Sequence, residues 1–458
     1  MKSVRRHNYL ILAILTPLVV QAIPPDTAWI RTYGGSNNDI GYSICACLAG
    51  GYLVAGYTSS LGSGPQSAYV VRINNAGDTV WTRAYGGTSW DGAHYVLTTP
   101  DTCFLVAGYT ESFGAGGKDM YFLKLNQFGD TIWTRTYGGV LQDCAYALCI
   151  ANDTGYLAVG YRNGPAAWTK GDLWLLKMDE SGDTVWSKTY GGSGEDYGIS
   201  LRHTLDGNYI ISGVNSYQSA GGKDVWLLKV NTSGDTIWTK TYGGSLEDIG
   251  YGVNTTSDSG YIITGYINGI PPWTAGDLWL IKTNAFGDSV WTRMYGGTGE
   301  DFGFEVYETP DCGFIIAGET SFGAGQVDVW LMRTDELGDT AWTQTYGGSA
   351  RDASLGFCID NDGSYAIVGH TRSSGAGNAD VYVIKTLPDM RIKVKTGRDI
   401  GHPPCCATVI SGPLPLPAGS ACKVYNIAGQ EIQQMNPAPG VYFITINSVA
   451  LQKIIKVR

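Results

Sequence analysis

Apolar and polar residues alternate in short stretches along most of the chain, and turn residues separate these stretches. Between residues 143 and 190, four of them follow one another, at 143–150, 156–161, 172–178 and 184–190. Alternation with a period of two indicates β-strands, and short links between consecutive strands indicate an antiparallel meander. This segment therefore predicts a four-stranded unit, whose strands we name A, B, C and D from the inside outwards.

The same unit occurs seven times. The heptapeptide Trp133–Gly139 reads WTRTYGG, and related heptapeptides, spaced 51 to 53 residues apart, begin at Trp29, Trp81, Trp186, Trp238, Trp291 and Trp342. A period of this length indicates a propeller or an array of repeated supersecondary units. Glycine-rich turns between short aromatic strands place the chain in the all-β class.

The two ends of the repeat region predict how the ring closes. Strand D of a typical unit begins Gly-Asp-Thr-x-Trp, and residues 26–29 carry the end of this motif with no unit before them. The last repeat ends at residues 381–385, a strand C with no strand D after it. We therefore predict that residues 27–33 form the outer strand of the last blade of a seven-bladed β-propeller spanning 23–387. Closure removes the open sheet edges that favour aggregation.

This architecture resembles known propeller classes. Seven units with closure by an N-terminal strand resemble kelch-type and WD-repeat propellers, and the Gly-Asp-Thr-x-Trp strand is similar to the tryptophan-docking motif of quinoprotein propellers. The complete unit resembles the WTKTYGG-type repeats of secreted bacterial surface proteins. The resemblance covers about residues 26–387 and implies a fold rather than a function.

Most repeated positions have a structural explanation. The seven repeat tryptophans are expected to dock between blades, and a fixed Gly in strand B, such as Gly160, indicates a close backbone approach or a bulge. The Asp that opens each strand A, such as Asp143, is expected to accept hydrogen bonds from its own turn. The alternative for these Asp residues is a ring of metal-binding carboxylates, but the loops offer no obvious further oxygen ligands. We expect no metal and no cofactor.

Three tryptophans fall outside the repeated positions and are the ligand-binding candidates. Trp90 lies in a D–A loop, and Trp168 and Trp273 lie in the longer B–C loops of the third and fifth blades. By the strand count all three lie on one face, where loop aromatics could stack on sugar rings or anchor a protein partner. The alternative is that the loops fold back and bury them.

Three polar residues of strand A are candidates for the central channel. His94, Arg202 and Glu305 occupy positions that are small or apolar in other repeats, and they are interpreted as channel-lining or satisfied core groups. The sequence contains no nucleophile elbow, phosphate-binding loop, dinucleotide fingerprint or zinc-type spacing, so no catalytic residue is assigned. The prediction is a non-catalytic scaffold that binds a glycan or a protein. The alternatives are a carbohydrate-active enzyme with carboxylates that meet near the axis, and a structural surface or adhesin module.

The N-terminus and the net charge limit the partners. Residues 1–22 are typical of a signal peptide, with Lys2, Arg5 and Arg6 before an apolar stretch and cleavage expected after Ala22. The alternative, a membrane anchor, is weakened by the shortness of the apolar run, and no other run could span a bilayer. With a net charge of −10 and no basic patch, the chain is a poor candidate for binding nucleic acid or an anionic membrane. The mature chain is expected outside the cell or on its surface.

The tail is predicted to be a separate element. Residues 388–419 read as a linker, and residues 420–458 alternate again as a small β-domain. Val424-Tyr425-Asn426, Gly440–Phe443 and the basic–apolar end from Lys453 resemble the C-terminal sorting domain of the type IX secretion system. The usual Asn-Pro opening is absent. The resemblance implies recognition by the export machinery, and the alternative is an appended domain without an export role.

Ten cysteines in an exported chain raise the question of disulfides. Those of the repeats, such as Cys45 and Cys149, occupy equivalent positions in different blades, which favours small buried hydrophobic groups over bridges. A bridge to Cys422 within the tail is an open alternative.

Overall fold

The structure is a computed structural model. It describes residues 23–164, 171–217, 219, 221–269 and 276–389, together with the backbone of five strands between 407 and 456. Among these ranges, no helical segment has the length and the apolar character that a membrane span requires.

The repeat region forms seven blades, each a sheet of four antiparallel strands, as predicted. The first strand of the chain is β1 (Thr27–Tyr33). Blades 1 to 3 comprise β2 (Asp39–Ala46), β3 (Tyr52–Thr58), β4 (Ser67–Ile73), β5 (Thr79–Tyr85), β6 (Asp91–Thr98), β7 (Phe104–Thr110), β8 (Asp119–Leu125), β9 (Thr131–Tyr137), β10 (Gln142–Ile150), β11 (Tyr156–Gly164), β12 (Asp172–Met178) and β13 (Thr184–Tyr190). Blades 4 to 7 comprise β14 (Tyr197–His203), β15 (Tyr209–Asn215), β16 (Asp224–Val230), β17 (Thr236–Tyr242), β18 (Glu247–Thr255), β19 (Tyr261–Gly269), β20 (Asp277–Thr283), β21 (Ser289–Tyr295), β22 (Asp301–Glu308), β23 (Phe314–Thr320), β24 (Asp328–Thr334), β25 (Thr340–Tyr346), β26 (Asp352–Ile359), β27 (Tyr365–Thr371) and β28 (Asp380–Thr386).

The N-terminal strand closes the ring. Strand β1 pairs antiparallel with β28, with Trp29 opposite Lys385 and Tyr33 opposite Val381. The sheet order β1-β28-β27-β26 makes β1 the outer strand of blade 7. The prediction that residues 27–33 complete the last blade is confirmed.

A bulge in every inner strand sets the geometry of the axis. In blade 3 the pairing shifts between Ala145 and Ala147, and each of the other six inner strands shifts at the equivalent place. The residue before the bulge faces the fixed Gly of strand B, as Ala145 faces Gly160. A Cβ atom on Gly160 would lie 1.9 Å from the carbonyl oxygen of Cys144, so the predicted close approach is present. A bulge re-aims one side chain, and here it turns the bulged residue towards the axis.

The hydrophobic core lies between adjacent blades. Leu148 of blade 3 packs in one cluster with Leu105, Ala107 and Phe122 of blade 2, and all four are buried. Equivalent clusters occur at the other blade interfaces. Each blade therefore depends on its neighbours for burial, as expected for repeat proteins.

The repeat tryptophans join each outer strand to the next blade. The indole N–H of Trp81 donates to the carbonyl oxygen of Gln127 at 3.0 Å, and the hydroxyl of Tyr85 donates to that of Gly129 at 2.6 Å. Both acceptors belong to the C–D turn of blade 2. Because the indole rests on this turn at the rim, Trp81 is only partly buried. The docking is as expected, but the burial is less complete than that of a core residue.

The seven Asp residues that open strand A are structural. All seven are fully buried, and each accepts a hydrogen bond from the second Gly of its preceding turn. In blade 3, Asp143 accepts from the amides of Gly139 and Asn163, each at 2.8 Å. The carboxylate thereby holds the D–A loop against the B–C loop, in agreement with the prediction.

One repeat cysteine departs from the expectation. Cys45, Cys47, Cys103, Cys144, Cys149 and Cys358 are free, but Cys312 is disulfide-bonded. The interpretation of all repeat cysteines as unbridged hydrophobic groups is therefore wrong for Cys312. Cys312 lies in the same loop of its blade as the free Cys103, but one position earlier, where blade 2 has Thr102.

The tail contains a five-stranded sheet with the order β29-β33-β32-β30-β31. The strands are β29 (Ala407–Ile410), β30 (Cys422–Asn426), β31 (Glu431–Ile432), β32 (Gly440–Ile446) and β33 (Ala450–Lys456). Strand β29 falls within the predicted linker and pairs in parallel with β33.

Candidate binding site at the channel mouth

The seven bulged residues form a ring around the propeller axis. They line a cavity of about 330 Å³, and they are mostly aromatic: Tyr42, His94, Tyr146, Ile199, Tyr251, Phe304 and Leu355. Their equivalence in the repeat explains the arrangement, because seven copies of one bulge point seven side chains at the same axis. The inner channel is therefore a largely aromatic space.

His94 is part of this ring. Its Nδ1 lies 3.1 Å from the carbonyl oxygen of Ala145, to which it can donate. The imidazole stacks on Tyr146, with ring centroids 4.9 Å apart, and meets the edge of Tyr42 at 5.1 Å. These contacts give His94 a packing role in the channel wall.

Arg202 and Glu305 form an ion pair across the channel. Arg202 Nη2 lies 3.0 Å from Glu305 Oε2, and Nη1 donates to the hydroxyl of Tyr95 at 3.3 Å. Because Tyr95, Arg202 and Glu305 belong to blades 2, 4 and 6, the guanidinium must lie close to the axis. Burial raises the pKa of Glu305, and the adjacent Arg202 acts in the opposite direction.

The channel opens on the face formed by the D–A and B–C loops, which we call the D–A/B–C face. A second cavity of about 490 Å³ lies there, and we call it the recess. It shares Tyr251, Phe304 and Leu355 with the inner cavity. Glu300 and Arg351 reach it from D–A loops, so the recess is the mouth of the channel.

An ion-paired arginine joins two glutamates at the recess. Arg351 Nη1 lies 2.9 Å from Glu300 Oε2, and Nη2 lies 3.0 Å from Glu319 Oε1. Glu319 is only 2% exposed. Burial raises its pKa to about 7, although Arg351 acts to lower it. A carboxyl group that changes its protonation near neutral pH therefore faces the recess.

His370 completes the polar side of the recess. It is 8% exposed, and burial, with a further contribution from Arg351, lowers its pKa to about 4. The imidazole is neutral at pH 7. Its Nδ1 is buried and has no hydrogen-bond partner among the described residues.

The predicted candidates occupy different parts of this region. Trp90 is 48% exposed on the D–A/B–C face, so the alternative that its loop buries it is wrong, but it does not line the recess. Trp168 and Trp273 lie outside the described residues. Arg202 and Glu305 meet each other deeper in the channel, whereas His94 contacts other groups. The ligand-binding role of Trp90 stays a prediction.

Sequence reasoning missed Glu319 and His370, although the repeat contains a signal for both. They occupy the position after the fixed Gly of strand B, which is Tyr in blades 1, 2, 3 and 5 and Val in blade 4. Blades 6 and 7 thus replace an apolar or aromatic group by a titratable one in adjacent copies. Comparing this position across the repeats would have identified the recess.

The described residues contain no cluster of three or more His, Cys, Asp or Glu side chains placed to hold a metal ion. The lining of the recess itself offers carboxyl, guanidinium, imidazole and aromatic groups.

The strand order and the ring closure define the class of the protein as an all-β, seven-bladed propeller. No protein-family model and no curated protein sequence matches the chain. Among solved structures, polysaccharide lyase Uly1 is similar, with 11% identity, a TM-score of 0.48, and coverage of 81% of this chain and 94% of that chain. Sqt1 from Chaetomium thermophilum is similar with 10% identity, a TM-score of 0.44, and coverage of 94% and 99%. BBS1N, solved in complex with ARL6DN, is similar with 10% identity, a TM-score of 0.44, and coverage of 80% and 97%.

Proposed function

We propose that the protein is a binding scaffold that presents its D–A/B–C face to a glycan or a protein outside the cell. The observation that supports this is the recess, which titratable and aromatic side chains line. Among them, Glu319 and His370 depart from the residues that the other blades hold at the same position. Binding residues are commonly carried by loops and strand ends that a rigid scaffold positions. Here the buried blade interfaces supply the rigidity, and the channel mouth supplies a concave surface.

Exposed aromatic side chains on the same face support the proposal. Trp90, Phe113, Tyr217 and Phe322 are 46–55% exposed, and they lie in D–A or B–C loops of blades 2, 4 and 6. An exposed aromatic ring offers a large rigid contact area at a low cost in conformational entropy. Such rings suit both the apolar face of a sugar and the surface of a protein.

The test compares the two faces of the propeller. We would measure binding of the mature chain to a panel of soluble polysaccharides, beside a triple Ala variant at Trp90, Tyr217 and Phe322. The control is a double Ala variant at Phe128 and Phe286, which are exposed in C–D turns on the opposite face. We expect the triple variant to lose binding and the control variant to keep it. Loss in the control alone would contradict the proposed face.

Export and surface display form part of the proposal and have their own test. The signal-like segment 1–22 and the sorting-like tail 420–458 support it through their sequence resemblance. We expect a chain that ends at Pro388 to be retained in the periplasm, while the full chain reaches the surface. If the shortened chain also reaches the surface, the tail has no sorting role.

A carbohydrate-active enzyme is the second candidate, and one observation favours it. Glu319 faces the recess with its pKa raised to about 7, and a carboxyl group that is partly protonated at neutral pH is suited to general acid catalysis. The test is product formation from the same polysaccharide panel by the wild type and by Glu319→Gln. Products formed by the wild type but not by the variant would support catalysis.

A further inference from the structure

The recess has an aromatic side and a polar side. Tyr197, Tyr251, Phe302 and Phe304 line it from blades 4, 5 and 6. Phe302 is backed by Tyr266, with ring centroids 4.6 Å apart, so the aromatic wall is held in place from behind. Such a wall accepts a flat apolar surface, including the C–H face of a pyranose ring.

The polar side offers donors and acceptors close together. The Arg351 guanidinium donates, the Glu300 and Glu319 carboxyl oxygens accept, and the Nδ1 of neutral His370 has no partner among the described residues. Each hydroxyl group of a ligand can donate one hydrogen bond and accept others. A buried polar atom without a partner is costly, and a ligand hydroxyl at His370 would remove that cost.

The charged groups of the recess are already paired with one another, since one guanidinium meets two carboxyl groups. Arg351 is ion-paired with Glu300 and with Glu319, at 2.9 Å and 3.0 Å. An anionic ligand would have to compete with two carboxyl groups for this one guanidinium. A cationic ligand would have to compete with Arg351 for carboxyl groups that the guanidinium already pairs. Burying an unpaired charge is expensive, so this pairing favours a neutral ligand that carries hydroxyl groups.

The position of the recess restricts how such a ligand enters. The ring that contains Tyr251, Phe304 and Leu355 lies beneath the recess, and deeper in the channel Arg202 crosses the axis to Glu305. A polymer therefore cannot pass through along the axis and has to enter end-on from the D–A/B–C face. The volume, about 490 Å³, is within the usual range of small-molecule sites, about 300–1,000 Å³.

We propose that the recess is an end-on pocket for the terminal, uncharged sugar ring of a glycan chain. The aromatic wall stacks against the apolar face of the ring, and Glu319, Arg351 and His370 bind its hydroxyl groups. This inference rests on the proposed function, because it names the ligand class of the same face.

The test uses single sugars as probes of the full mature chain. Methyl glycosides of glucose, galactose, mannose and xylose represent neutral rings, and methyl glucuronide and methyl glucosaminide carry one negative and one positive charge. Saturation-transfer NMR and calorimetry would measure binding. We expect at least one neutral glycoside to bind about tenfold more tightly than both charged ones. Preferential binding of a charged glycoside, or no glycoside binding at all, would overturn the proposal.

The repeat itself supplies the variants. Glu319→Tyr and His370→Tyr introduce the residue that four other blades hold at this position, so the fold should tolerate them while the recess is filled. The matched control is Tyr161→Val. It changes the equivalent position of blade 3 to the Val that blade 4 holds there. Thermal unfolding checks that all three remain folded.

The combined outcomes separate the two proposals. Loss of glycoside binding in both Tyr variants but not in Tyr161→Val is the expected result. If the Tyr variants bind glycosides as well as the wild type, the recess is not the pocket. If no glycoside binds but polysaccharides still bind through the exposed loop aromatics, the inference fails while the proposed face remains. If the wild type binds neither glycans nor proteins, the proposed function fails as well.

Discussion

Breaking the Arg202–Glu305 pair should cost far more stability than removing it completely. The two side chains are only 15% and 16% exposed, and the charged atoms are 3.0 Å apart. Arg202→Met or Glu305→Met alone leaves one buried charge without its partner, which typically costs about 3–5 kcal/mol. Because some solvent exposure remains, we expect a value near the lower end. The double Met variant leaves no buried charge, and an apolar replacement of a buried pair is often neutral.

A double-mutant cycle measures this difference. Equilibrium urea unfolding at pH 7 would give the free energy of unfolding for the wild type, both single variants and the double variant. The matched control is a cycle on Arg135 and Asp183, a pair at 3.1 Å whose side chains are 33% and 67% exposed and which should couple weakly. Single-variant costs below about 1 kcal/mol would show that the charges are well solvated and would refute the reasoning from their burial.

Three further predictions follow from other parts of the ring. Deletion of residues 23–33 leaves blade 7 without its outer strand, so we expect a lower unfolding temperature by calorimetry and recovery when that peptide is added back. Glu319 has its pKa raised from 4.5 to about 7, so its stabilising contribution is complete below pH 4.5 and is lost as the pH rises through 7. As the pH rises through this range, the unfolding free energy of the Glu319→Gln variant should therefore increase by about 3 kcal/mol relative to that of the wild type. A difference that does not change with pH would contradict this prediction. Asp143→Ala leaves two loop amides without their acceptor, which should cost about 1–3 kcal/mol in urea unfolding, whereas Asp183→Ala on the surface should change little.

The fold could be predicted because the same physical requirements recur in each blade. The Gly-Asp-Thr-x-Trp motif marks most outer strands, with Ser289 in place of the Thr in blade 5. The Asp-Thr-x-Trp part at the N-terminus, with no unit before it, predicted the closing strand Thr27–Tyr33. The fixed Gly of strand B predicted a close approach, because only a residue without a side chain fits beside the neighbouring carbonyl group. Residues that recur in every blade could thus be identified as requirements of the fold, and residues found in a single blade could be set apart from them.

The candidate site could not be assembled from the sequence because its members come from different blades. Arg351 lies 51 residues from Glu300 and 32 residues from Glu319, and only the curvature of the ring brings the three side chains together. The odd residues Arg202 and Glu305 were recognised by their departure from the repeat, but their pairing across the axis depends on side-chain length and on the channel diameter.

The position after the fixed Gly of strand B shows how repeat proteins can localise function. A titratable group replaces Tyr or Val only in blades 6 and 7, which are adjacent in the ring. A single replacement of this kind could be a tolerated substitution, since one buried polar group can be satisfied locally. Glu319 instead shares the cation Arg351 with Glu300, and Arg351 adds to the effect of burial in lowering the pKa of His370. Both replacements therefore lie within the influence of one cation, Arg351, and we expect variants of Glu319 and His370 to have non-additive effects on ligand binding. Additive effects would indicate two independent substitutions rather than one site.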